Sequence, residues 1–208
     1  MTEQNSFNYQ FKNDLSELNF FVNETNFYAF SGIIKNNFKK NFLYGPKKSG
    51  KTFIGKIWQK QNSAIQLNKN FNTIVNNKNN ILIDNLTSFD QEQVFHIINN
   101  CILNNNKILI ISGKKINEID FIFDDLSSRL KTFDNFEIAQ PNDEMLLAIL
   151  TKLLTEKQFI IKTKEIFEYI MRRVDRSYYG VYDVVKKLDI LSLEKKRQLT
   201  IPLIKEIL

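Results

Sequence analysis

A chain of 208 residues, 43% of them apolar, can bury the core of one moderate domain or of a larger and a smaller one, and no apolar run approaches the roughly 20 residues of a membrane span. The opening Met1 to Asn5 lacks the basic and apolar regions of an export signal, and the lone Cys101 cannot close an internal disulfide, so a cytoplasmic protein without a membrane segment is expected. A net charge of +6 permits contact with nucleic acid or an acidic partner, but the abundance of Asn, Lys, Ile and Phe is equally the bias of an AT-rich genome, so charge alone assigns no partner.

The apolar stretch Asn41 to Tyr44 predicts a strand and Lys51 to Lys60 a helix. Between them runs Gly45-Pro46-Lys47-Lys48-Ser49-Gly50-Lys51-Thr52, which satisfies G-x-x-x-x-G-K-[ST]. Strand, loop and helix together predict a phosphate-binding loop. Its glycines admit positive φ and close backbone approach, Lys51 offers an ammonium to the β and γ oxygens, and Thr52 offers a hydroxyl to Mg2+. Residues 45–52 and the following Phe53 are therefore expected to hold ADP or ATP.

Further strands are predicted over Ala64 to Leu67, Ile81 to Ile83, Ile108 to Ile111 and Phe136 to Ile138, with a helix over 91–103. The alternation argues an α/β fold with a parallel five-stranded sheet in a three-layer arrangement. Residues 68–80 are polar and turn-rich with no convincing long helix. The Asn run at 104–106 reads as the loop into the next strand. Cys101, beside Ile98, Ile102 and Leu103, reads as buried filler, with His96 on a different helical face.

Asp84 ends the strand about thirty residues beyond the loop, where a second Mg2+ contact belongs. Asn85 follows it and cannot accept a proton at neutral pH, so weak intrinsic ATPase activity is expected. Ser112, at the end of another strand, is a candidate γ-phosphate sensor or an ordinary strand-end turn residue. Arg129, just before the last strand, is a candidate for completing a neighbour's site in trans, through a permanently charged planar guanidinium.

All 26 asparagines fall at or before Asn142, and the rest reads as helical, so a boundary near Pro141 is expected. Helices are predicted over roughly 143–157, 164–175, 178–190 and 201–208. Three parts follow: an N-terminal segment over 1–26, a nucleotide-binding α/β domain over 27–140 and a helical lid over 141–208.

The loop at 45–52, Ile81 to Asn85, Ile108 to Gly113, Leu126 to Leu130 and a helical C-terminal lid together resemble the AAA+ ATPases. Among them the chain is most similar to the ATPase module of the replication initiator DnaA, and within that group to the Hda type. Asp84-Asn85, the Leu126 to Leu130 segment and the tail Arg197 to Leu208 carry the Hda likeness, and Phe20 to Asn26 is similar to the segment leading to the adenine pocket. The sequence ends without a helix-turn-helix domain, so indirect DNA contact is expected.

The resemblance implies an Hda-like regulator of replication initiation. It would stimulate hydrolysis of DnaA-bound ATP together with the DNA polymerase III sliding clamp, with Lys51, Asp84 and Arg129 in catalytic roles and Thr52 and Asp84 on the metal. It implies a clamp-binding peptide at Gln10 to Leu15, where polar Lys12 and Asn13 depart from the pattern. It also implies a lid arginine on the phosphates, but Tyr179 or Tyr182 stands at that place and Arg176 is the only close basic candidate. A homodimer stays open. The alternative is an autonomous AAA+ ATPase acting as a DnaA-like or helicase-loader-like nucleic-acid remodelling factor.

Overall fold

The computed structural model describes residues 20–68, 79–161 and 163–208. Five parallel strands form one sheet in the order β2-β3-β4-β1-β5. They are β1 (Lys40–Tyr44), β2 (Ile65–Gln66), β3 (Ile81–Asp84), β4 (Ile108–Ser112) and β5 (Asp134–Glu137). Helices α1 (Phe27–Ile34) and α2 (Lys51–Gln61) cover one face, while α3 (Gln91–Leu103) and α4 (Asp124–Leu130) cover the other.

The central strands show why their sequences are continuously apolar rather than alternating. Phe42, Ile83, Ile108 and Ile110 point into the α3 and α4 layer, whereas Leu43, Leu82, Leu109 and Ile111 point into the α1 and α2 layer. A strand buried on both faces has no polar side to show. Cys101 is buried in the α3 layer, as expected of filler, and His96 on the same helix is exposed.

Beyond the sheet lie α5 (Asp143–Glu156), α6 (Glu165–Met171), α7 (Tyr178–Lys195) and α8 (Ile201–Ile204), which enclose a third core around Leu150, Leu154, Ile170, Val181 and Leu188. Met145 and Tyr178 instead join the α1 and α2 layer, so the first turns of α5 and α7 seat the helical unit on the sheet domain.

Several boundaries differ from the sequence expectation. The 164–175 helix shortens to α6, because the chain turns at Arg172 and Arg173 before Ser177 caps α7. The 178–190 helix runs on to Lys195, and the 201–208 helix is only α8 followed by turns. β2 is two residues long, yet Leu67 N–H still donates to the Leu82 carbonyl at 2.8 Å. Neither α1 nor α4 was expected. The clamp-like peptide at Gln10 to Leu15 lies outside the described residues, as does most of the polar stretch 68–80. Among the described residues no helix is long and apolar enough to cross a membrane.

Candidate functional site

Parallel register brings the predicted site residues to one edge. Tyr44 pairs with Ser112 and with Glu137, and Asp84 pairs with Ile111, so the strand ends that precede Gly45, Asn85 and Gly113 lie side by side. Ligands of open α/β sheets collect at this carboxyl edge.

From Tyr44 the chain enters a loop that reverses through positive φ at Lys48 (67°) and Gly50 (92°). A Cβ on Gly50 would lie 2.7 Å from the Phe20 ring, and one on Gly45 would lie 2.6 Å from the Ile138 carbonyl oxygen, so close approach as well as φ selects glycine at both. No side chain caps α2 at Gly50, and while the Phe53 N–H donates to the Gly50 carbonyl at 3.0 Å, the amides of Lys51 and Thr52 are left at the helix start.

Lys51 Nζ donates to the carbonyls of Gly45 at 2.8 Å and Pro46 at 2.5 Å, with Ser49 Oγ at 3.4 Å. Burial pulls its ammonium below the usual lysine pKa, and the charge of Asp84 partly offsets this. Thr52 is exposed at the helix start. Phe53 stacks on Phe20 at 5.5 Å between centroids, and Phe20 stacks on Phe30 at 5.4 Å, so an aromatic column ties residue 20 to α1 and α2.

Asp84 is half-buried at the end of β3. Asn85 adopts φ 67°, a left-handed conformation that asparagine tolerates well, and its Oδ1 accepts from Thr87 Oγ1 at 3.1 Å. Ser112 is 1% exposed and its Oγ accepts from the Lys114 N–H at 3.0 Å, the geometry of a strand-end turn. Arg129 is exposed on α4, and among the described residues its guanidinium makes no ion pair.

The lid meets the loop through α7, whose N-cap Ser177 accepts from the Gly180 N–H at 3.0 Å. Tyr179 places its ring 4.7 Å from Lys47 Nζ, and Tyr182 places its ring 5.2 Å from Lys48 Nζ. Arg176 is paired with Asp143 on α5, so in this structure its guanidinium is held within the lid.

A polar cluster that the sequence reading did not assign closes the back of the junction. Asn142, the N-cap of α5, accepts from Met145 N–H and from Asn23 Nδ2, both at 2.9 Å, and donates to Glu24 Oε1 at 2.7 Å. Thr25 and Tyr178 hydroxyls lie 3.4 Å apart nearby. The Asn142-Asp143-Glu144 pattern is the one local signal that could have pointed to Asn142; its partners, over a hundred residues away, carry none.

These residues fit a phosphate-bearing ligand: the uncapped amides of Lys51 and Thr52, a left-handed loop and a partly desolvated lysine lie together. A divalent cation there would draw on Thr52 and Asp84 and needs further oxygens from the ligand, since among the described residues no group of three or more His, Cys, Asp or Glu could hold one.

A five-stranded parallel sheet with this loop at its carboxyl edge and a helical lid above it is an AAA+ fold. Residues 143–208 match the model of the Hda lid domain. The chain is 27% identical over 210 residues to the chromosomal replication initiator protein DnaA of Buchnera aphidicola subsp. Cinara cedri, covering 87% of this chain and 48% of that protein; it thus spans about half the length of this curated relative. Domain III of DnaA from Thermotoga maritima superposes with a TM-score of 0.77 at 18% identity, covering 95% of this chain and 96% of that one. AMPPCP-bound DnaA from Aquifex aeolicus gives 0.66 at 19% identity, over 85% of this chain and 65% of that one. The chain thus shares its fold with DnaA-related AAA+ proteins and is similar over its helical lid to Hda.

Proposed function

We propose that this protein regulates replication initiation by presenting Arg129 to ATP held by DnaA, with an adenine nucleotide of its own fixing the lid against the α/β domain. The observation that carries the reading is the Hda-type lid at 143–208 joined to a sheet edge where Lys51, Thr52 and Asp84 converge. ADP or ATP would be held by residues 45–53, with Lys51 on the phosphates and Thr52 and Asp84 toward Mg2+. Mg2+, when bound, neutralises phosphate charge. Ser112 and Arg176 are the remaining candidate phosphate contacts, and each has another partner here, the Lys114 N–H and Asp143 respectively.

Asn85 favours action in trans over self-sufficient hydrolysis. Its amide cannot take a proton from water, and its left-handed backbone turns the chain away into the turn at Leu86–Ser88. Arg129 is exposed and, among the described residues, makes no ion pair, the state a guanidinium needs if it is to serve a neighbour. The working setting is the cytoplasm, with the sliding clamp as the docking platform through Gln10 to Leu15.

The test is hydrolysis of labelled ATP bound to DnaA, with this protein and DNA-loaded clamp present. Wild type should accelerate hydrolysis, and Arg129→Ala should abolish the gain, on the order of 10³-fold or more where an arginine finger is the whole effect. Equal rates with wild type, Arg129→Ala and no added protein would refute the reading.

A further inference from the structure

We infer that Tyr179 and Tyr182 are positioning residues that clasp the lid to the phosphate loop through the loop's own lysines, so that the lid's posture does not depend on a third phosphate. The inference deepens the nucleotide reading above and rests on it for its second half only.

The loop carries Lys47, Lys48 and Lys51 within five residues, and such a cluster repels any further cation that approaches without a phosphate between. An aromatic face does the opposite, because its π-electrons attract an ammonium. Tyr179 and Tyr182 stand three residues apart on α7 and so share a face, and each ring meets a different loop lysine, at 4.7 and 5.2 Å. A third contact runs the other way across the same junction, from Lys152 of the lid to the Phe53 ring of α2 at 6.0 Å.

The clasp is built on a fixed platform. Ser177 caps α7, Tyr178 is buried among the α1 and α2 layer, and Gly180 brings the helix so close to the Asp175 carbonyl that an added Cβ would lie 2.4 Å from its oxygen. Arg176, the basic residue nearest this turn, is meanwhile paired with Asp143. A lid held by arginine would tighten as phosphates are added. A lid held by tyrosines on lysines is already closed.

The test is hydrogen exchange on the full chain without nucleotide, at segments 47–50 and 178–182. Tyr179→Ala/Tyr182→Ala should raise exchange at both about 5- to 30-fold, the effect of losing two cation–π pairs, one at exposed Tyr179 and one at half-buried Tyr182, while α3 stays unchanged. Lys47→Gln/Lys48→Gln should match it, and Tyr179→Phe/Tyr182→Phe should exchange like wild type. Alanine is the better helix former, so fraying of α7 alone would move exchange the other way. No rise with alanine, or a phenylalanine variant that behaves like alanine, overturns the clasp. A second arm adds ADP or AMPPCP, and exchange at 178–182 should agree within twofold between them; a larger difference overturns the phosphate independence. If calorimetry detects no binding of either nucleotide, the nucleotide reading fails and with it that second claim, while the clasp stands or falls on the first arm.

Discussion

The ammonium of Lys51 rests on two backbone carbonyls, and burial holds its pKa below the usual lysine value, so in the absence of ligand its charge is only partly compensated. A polyphosphate would supply what is missing. Lys51→Ala should therefore weaken ADP binding about 10- to 100-fold in calorimetry, the span of one or two charge-assisted hydrogen bonds, and equal affinities would remove Lys51 from the site. Cys101 illustrates the opposite case, a group that burial silences. Its thiol is pushed from 9.0 up to about 12, so the folded chain keeps a proton that the unfolded chain loses as pH rises through that window. That contribution to stability is whole below 9.0 and declines above it. At pH 8 a thiol reagent should label the native protein at least about 10³-fold more slowly than the denatured one, and comparable rates would show that Cys101 is not buried.

At the scale of elements, what could be read in the sequence depended on whether an element's signal was local. The strand–loop–helix unit at 40–61 was legible because glycine placement, a lysine and the flanking strand and helix all lie within about twenty residues. β3 and β4 were legible because strands buried on both faces leave unbroken apolar runs. α1 was not: Phe27-Tyr28-Ala29-Phe30-Ser31-Gly32-Ile33-Ile34 lacks a polar face, and Gly32 is there because a Cβ would strike the Phe136 ring at 2.0 Å, a contact set by tertiary packing. α4 has seven residues, too few for periodicity to speak. The helix caps follow the same rule, since Asn142 and Ser177 each satisfy a backbone N–H three residues on. Asn142→Ala forfeits the cap and both long-range bonds, to Asn23 and Glu24. It should cost about 1 to 2 kcal/mol in chemical denaturation, against about 1 kcal/mol for Ser177→Ala, which loses its cap and a local bond to Asp175. An Asn142 variant no weaker than the Ser177 variant would mean that the link to the N-terminal segment carries no energy.

Taken together, the described residues form a sheet domain with a core on each face and a helical lid with its own core, joined where Met145 and Tyr178 enter the α1 and α2 layer. The candidate nucleotide site lies at this junction, with the loop on one side and the α7 tyrosines on the other. A ligand seated there binds only the joined, folded form and stabilises it by mass action, about 2.7 kcal/mol at a hundredfold excess over Kd. For a chain of this length each kcal/mol moves the melting temperature by roughly 2–4 °C, so ADP with Mg2+ should raise Tm by about 5–10 °C. Lys51→Ala should show little or no ligand-induced rise whatever its own starting Tm, because the comparison is between each variant with and without ADP. A rise in the variant equal to that in wild type would locate adenine binding elsewhere, and no rise in wild type at millimolar ADP would leave the junction without the ligand that the loop geometry calls for.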